Sequence, residues 1–489
     1  MVFHSYKFIL AFWPVLLLCY RLAQFAKGGT RESVRLVLLL VSSVLFLVPF
    51  GLSCVLSVFC SIAVNGFAAW VFPRTDRKPA RRILFASVLV LNIAVLVCLK
   101  LSAFPLPVGL SFYTFTQIAF LADVYRGEIS SFTLPEYLLH VLFFPKFLQG
   151  PIMRLTDTRT MITSRLQDDM RARNLLNGAL LFSLGLFKKN MVADVLGNCV
   201  DTAYGLIPHL TRGDAVLTIL VFVAQLYFDF SAYCDMGRGC AWMMGLDLPD
   251  NFLQPLKTEH IVAYWKKWHM SLTGFFTRYL YIPLGGSRKG NLRRYLHIMI
   301  VFLVSGFWHG SGVTFLVWGA LHGAAYVLVT ALLPVRTETE GNGVLHRAAS
   351  VFKTACNYVF VSICYVFFRA PNLADAVQLF SRVTDAAHFR VSETIADAFY
   401  LDEIWYVVKV LPLSDWEYRT YLCMAAVLLV SIVLLFFVPD AKALVLRHDK
   451  YLQEGMRVRS VLFVLLCAAL FVWALVSTGE VATYLYVNF

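Results

Sequence analysis

Apolar residues run along this chain in blocks, at 8–24, 34–50, 52–72, 83–99, 107–122, 137–150, 175–193, 215–233, 263–283, 296–308, 311–333, 352–368, 420–438 and 460–477. A block of about 20 residues crosses a bilayer as a helix, whereas runs of roughly 10–14 mark re-entrant or buried segments. The pattern predicts an all-α polytopic membrane protein with about ten to twelve spans and re-entrant or interfacial helices between them. No soluble linker separates two halves and no internal repeat is visible, so residues 1–489 read as one integral-membrane domain. The first run, Phe8 to Leu22, has Lys7 before it and no small-residue cleavage site, and reads as a retained helix.

Polar positions between the blocks give an orientation. Segment 74–82 holds Arg74, Arg77, Lys78, Arg81 and Arg82 against Asp76. Segment 278–294 holds Arg278, Arg288, Lys289, Arg293 and Arg294 with no acid, and 442–459 holds Lys442, Arg447, Lys450, Arg457 and Arg459. Segment 371–418 is instead acidic, with Asp375, Asp385, Glu393, Asp397, Asp402, Glu403, Asp415 and Glu417. Lys and Arg collect in cytoplasmic loops. The basic segments are therefore expected in the cytoplasm, with 371–418 and both termini on the other side.

Composition agrees with the blocks. Hydrophobic residues make up 59% of the chain and Asp, Glu, Lys and Arg only 15%, against about 25% in soluble proteins. That balance excludes ordinary cytosolic, disordered and fibrous classes. The net charge of +13 would suggest nucleic acid in a soluble domain. Here the cytoplasmic loops account for it, and no nucleic-acid partner is expected. The 11 cysteines are scattered without a Cys-x-x-Cys pair, so neither a disulfide nor a zinc framework is expected.

Histidine carries the chemistry. Five of the 11 fall between 260 and 322: His260, His269, His297, His309 and His322. Ionisable groups at membrane depth are costly and mostly functional, the alternative being that these histidines only hydrogen-bond neighbouring helices and pack. The apolar run before His309, Leu296 to Trp308, has 13 residues, a rise of about 20 Å against a hydrocarbon core of about 30 Å. The run is therefore expected to stop inside the membrane, with Gly306, Gly310 and Gly312 crowding a buried turn. His322 lies 13 residues further on, about 20 Å along a straight helix, so the two are not expected to share a metal, and no His-Glu-x-x-His motif is present. A neutral imidazole suits a general base that takes a proton from a substrate hydroxyl. Asp229 and Asp235 are expected to brace helices, Ser111–Gln117 to pack in the core, and Lys188 and Lys189 to snorkel toward an interface.

Tyr264-Trp265-Lys-Lys-Trp268-His269-Met270-Ser271-Leu272 and Ser305-Gly306-Phe307-Trp308-His309-Gly310 resemble the signature of membrane-bound O-acyltransferases. Tyr281-Ile-Pro-Leu-Gly-Gly-Ser-Arg-Lys-Gly290, Trp318-Gly319 and His322-Gly323 are similar to the alginate O-acetyltransferase branch, as are Leu106–Phe115, Phe144–Pro151 and Phe367–Ala370. Lys146, where the branch is expected to carry Gln, and Val313, where it often has an aromatic, depart from it.

The resemblance implies an enzyme that carries an acyl group, typically acetyl, from a cytoplasmic thioester donor through the membrane to an extracytoplasmic hydroxyl. It maps the superfamily histidine to His309 and the second motif histidine to His269, with His322, Trp308 and Ser271 as supporting candidates. Arg288, Lys289, Arg293 and Arg294 are candidates to attract the donor, acetyl-CoA or an acylated carrier protein; no bound cofactor and no metal are expected. The implied setting is a bacterial cytoplasmic membrane. The implied partners are membrane lipids, an extracytoplasmic acetyltransferase or acceptor protein, and a polysaccharide acceptor. The rival expectation is a transporter of an acylated or lipid-linked sugar that uses its histidines as proton relays.

Overall fold

The computed structural model describes the chain apart from residues 28, 103, 164–170, 289, 333–342, 386–388, 402–409, 411–415, 417, 480–483 and 485–489. Among the described residues all regular elements are helices. Nine of them are long and apolar enough to cross a bilayer: Lys7–Phe25, Gly29–Phe50, Leu52–Arg74, Lys78–Leu101, Arg212–Met243, Val313–Leu332, Val344–Arg369, Arg419–Phe436 and Arg457–Val476. The apolar runs suggested a few more. Leu110–Tyr125 and Arg171–Phe187 are shorter, at 16 and 17 residues, and Asn291–His309 opens with Arg293 and Arg294.

Arg212–Met243 is the centre of the bundle. Its 32 residues are the longest helix described, about 48 Å at 1.5 Å per residue. Thr211 starts it with a capping box: the Thr211 hydroxyl accepts from the Asp214 backbone at 3.2 Å, and the Asp214 carboxylate accepts from the Thr211 backbone at 3.0 Å. The other oxygen of Asp214 accepts from the Ser392 backbone at 2.8 Å, which ties the 371–418 segment to this end of the bundle.

The central helix has no polar face and is instead pinned by buried ions. Lys189 is 1% exposed and donates to both Asp194 and Asp229 at 2.7 Å. Lys188 pairs with Asp235 and donates to Ser231 at 3.0 Å. Asp229 and Asp235 therefore brace helices, as their spacing suggested. Lys189 does not snorkel: its ammonium stays inside because two carboxylates meet it there, which offsets the cost of burying it.

Segments 74–82 and 278–294 meet around residues 123–128. Arg81 donates to the Tyr125 carbonyl at 2.6 Å, Arg154 pairs with Asp123 at 2.8 Å, and Arg278 pairs with Glu128. The apolar run 263–283 does not form one helix. It breaks into Ile261–Lys267, Met270–Phe276, a π-turn at Thr277–Tyr281 and the short Ile282–Leu284, with Trp268 and His269 at the first break.

Candidate active site

His309 ends the Asn291–His309 helix. At 19 residues the helix is longer than its apolar run, because the polar stretch Asn291–Tyr295 adds its first turn. It rises about 28 Å, of which the apolar run makes up about 20 Å. The turn is buried: His309 is 3% exposed. Val313–Leu332 returns directly against the same helix. A Cβ on Gly306 would lie 2.4 Å from the Phe315 carbonyl oxygen, and one on Gly319 would lie 2.5 Å from that of Phe302. Only glycine at both positions lets the two backbones approach this closely.

Aromatic rings enclose His309. Centroids of Trp308, Trp318 and Phe368 lie 4.7, 5.1 and 5.1 Å from its own. The His322 ring also lies 5.0 Å from that of Trp318. His322 is fully buried, and its Nδ1 accepts from the Trp265 indole N–H at 3.3 Å. The two histidines share a tryptophan and not a ligand set. Among the described residues no group of three or more His, Cys, Asp and Glu could hold a metal ion.

His269 also lies near Trp308. It is fully buried and sits at the helix break with φ 42° and ψ 54°, a left-handed conformation uncommon outside glycine. Its ring lies 4.9 Å from Phe230, 6.2 Å from Phe112 and 6.4 Å from Trp308. Trp308 stacks on Phe115 at 5.1 Å. The Ser111–Gln117 stretch is thus core, as expected, and also one wall of the site. The rings of His269 and His309 thus both lie close to Trp308.

Two residues not singled out by sequence hold this group. Asn251 Oδ1 lies 3.2 Å from His269 Nδ1, and accepts from the Ser271 backbone at 3.2 Å and the Ser271 hydroxyl at 2.9 Å. Ser271 therefore reaches His269 through Asn251. Lys100 donates to the Trp308 carbonyl and to that of His309 at 3.4 Å. Asn251 lies in a loop 18 residues before His269 with no motif to mark it. Lys100 looks like an ordinary charged residue at the end of an apolar run.

Asn251 also lines a small cleft. Lys188, Asp235, Arg238, Asp250, Asp440 and Lys442 give it charge of both signs, and Tyr227, Cys234 and Phe252 give it apolar wall. Arg238 pairs with Asp247 and Asp250, and Lys442 meets both oxygens of Asp250 at 2.8 Å. Burial works against ionisation of Asp250, but its hydrogen bonds to Lys442 and Arg238 hold the carboxyl below the usual carboxylate range. His309 does not line this cleft. Neither do Arg288 and Arg293, which are exposed, nor Arg294, which is half-buried beside Tyr295. Lys289 lies outside the described residues.

Residues 74–369 match the pattern of MBOAT, the membrane-bound O-acyltransferase family. The chain belongs to that family. Like other membrane-bound O-acyltransferases it is an integral membrane enzyme. It is similar to the probable alginate O-acetylase of Pseudomonas fluorescens, 33% identical over 405 residues, which cover 80% of this chain and 77% of that one. It is 31% identical to the peptidoglycan O-acetyltransferase of Helicobacter pylori over 424 residues, 78% of this chain and 79% of the relative. The likeness to the teichoic acid D-alanyltransferase of Streptococcus thermophilus is more distant, 27% over 240 residues, 46% of this chain and 57% of that one.

Proposed function

We propose that this O-acyltransferase moves an acetyl group from a cytoplasmic thioester, acetyl-CoA or an acylated carrier protein, to an extracytoplasmic hydroxyl. The acceptor is a cell-envelope polysaccharide, or a partner protein outside the membrane that passes the group on. The observation that carries the reading is that the rings of His269 and His309 both lie close to Trp308, with Asn251 joining His269 to a charged cleft.

The basic segments 74–82, 278–294 and 442–459 put the cleft, with Lys442, toward the cytoplasm, in what is then a bacterial cytoplasmic membrane. Segment 371–418 and both termini then lie outside. Arg288, Lys289, Arg293 and Arg294 raise the local concentration of an anionic donor, and the cleft admits its thioester arm. His309 takes the proton of the acceptor hydroxyl as that oxygen bonds to the thioester carbonyl carbon. The C–S bond breaks and the sulfur takes up the proton, so the products are an O-acetyl ester and a free thiol. His269, Ser271 and His322 orient the two ends of this site. A side-chain movement of Phe368 or Trp318 opens His309 to the acceptor, since the rings enclose it at rest.

The test is reconstitution in liposomes with radiolabelled acetyl-CoA, the partner protein and polysaccharide fragments. His309→Ala is expected to abolish acetyl transfer while the protein still elutes as the parent does. Undiminished transfer by a well-folded His309→Ala variant removes the base assignment.

A further inference from the structure

Asn251 is the point at which three parts of the molecule meet. Its backbone carbonyl accepts from the Met270 N–H at 2.9 Å, on the far side of the His269 break. One residue pair further out, the Leu253 N–H donates to the Lys267 carbonyl at 3.1 Å. The loop thus straps both helices that flank His269, and holds that residue in a left-handed conformation that is strained outside glycine. Such a conformation persists only where the surroundings over-determine it.

The side chain fixes more than the backbone. A backbone N–H can only donate, so the atom of Asn251 that the Ser271 N–H meets is the carboxamide oxygen. Ser271 is held in turn: its hydroxyl donates to that oxygen at 2.9 Å and accepts from the Ile152 N–H at 3.1 Å. The same oxygen faces His269 Nδ1 at 3.2 Å. An amide oxygen only accepts, so Nδ1 carries the hydrogen. The Asn251 amide nitrogen turns the other way, to the Cys234 sulfur at 3.7 Å on the wall of the cleft.

We propose that Asn251 is the positioning residue of this site, holding His269 in the tautomer that has Nδ1–H bonded to the carboxamide oxygen and Nε2 as the basic nitrogen. A histidine held so presents an acceptor. It orients or receives the hydrogen of a substrate group, and while neutral it cannot donate from Nε2 to a developing oxyanion. The inference rests on the acyl-transfer reading and adds a role that neither motif marks.

The test compares Asn251→Leu, which keeps the volume and loses the acceptor, with Asn251→Asp, which keeps an oxygen in place, both as full-length protein assayed with acetyl-CoA. Removing the partner that orients a functional histidine costs about 10–100-fold where the effect has been measured at metal sites. A kcat loss of that order is expected for Asn251→Leu with KM for acetyl-CoA within about twofold, and Asn251→Asp is expected to recover most of it. Three results overturn the proposal: parental kcat in the Leu variant, a raised KM at unchanged kcat, or an Asp variant as poor as Leu. If Asn251→Leu does not fold, Asn251→Ala is read by the same criteria. His269→Ala separates the two levels. If it is inactive beside a fully active Asn251→Leu, only this inference falls; if it is fully active, the reading of the site falls with it.

Discussion

The Lys100 ammonium rests on the carbonyl end of the helix that carries His309, bonded to the carbonyls of Trp308 and His309 and 5.8 Å from the Trp308 ring. The last carbonyls of a helix have no partner within it, and a cation there also opposes the negative end of the dipole. Lys100→Met is expected to lower stability by about 1 kcal/mol and to reduce acetyl transfer more than stability explains, because the untied turn carries His309. Lys100→Arg keeps the charge and is expected to restore both. Thermal unfolding and kcat on the same preparations check this, and a Met variant with parental kcat removes the role.

The close approach at Gly306 and Gly319 makes a sharper demand. Gly306→Ala places a methyl against a carbonyl oxygen that has nowhere to move, and overpacking of this kind costs about 1–3 kcal/mol. The variant is expected to unfold at lower temperature and to lose activity. Gly274→Ala is the matched comparison, since no atom lies within 4 Å of its added Cβ, and it is expected to unfold at or above the parental temperature.

Lys189 stands between two carboxylates, and removing it leaves buried Asp229 with its charge and one cation fewer. Breaking such a pair from one side costs about 3–5 kcal/mol. Lys189→Met is expected to fold poorly, and Lys189→Met/Asp229→Asn to fold better than the single variant. A double-mutant cycle in denaturant reads the coupling; additive effects within error exclude it.

Two places meet the donor in this reading, the cleft and the arginines of segment 278–294. Lys442→Gln is expected to raise KM for acetyl-CoA about tenfold, the equivalent of 1.4 kcal/mol, with kcat unchanged. Arg293→Gln/Arg294→Gln is expected to slow association mainly at low salt, as a charge acting at a distance does. A raised KM only in the arginine variant moves the donor site to segment 278–294.

The helical blocks and the place of His309 at a helix end are legible in the sequence. His309 stood out because it closes an apolar run beside three glycines, and His269 because it sits in a dense aromatic motif. The rest depended on contacts distant in sequence. Nothing local marks Lys100 as a partner of Trp308, 208 residues away. Lys189 reads as an interfacial lysine until Asp229, on another helix, is placed beside it. The 263–283 run gave no warning of its break, because the residue in the left-handed conformation is a histidine and not a glycine. The His309 helix was underestimated for the opposite reason: hydropathy ends where Arg293 and Arg294 begin, but the helix does not.

The glycine contact in the His309 hairpin also bears on how the enzyme meets membranes of different thickness. Two helices that touch backbone to backbone cannot slide, because a shift of one residue turns each face by about 100° and brings side chains into the gap. A mismatched bilayer is therefore met by tilting the pair as a unit, at a cost of fractions of a kcal/mol per ångström. His309 keeps its register against Trp318 in a thin membrane or a thick one.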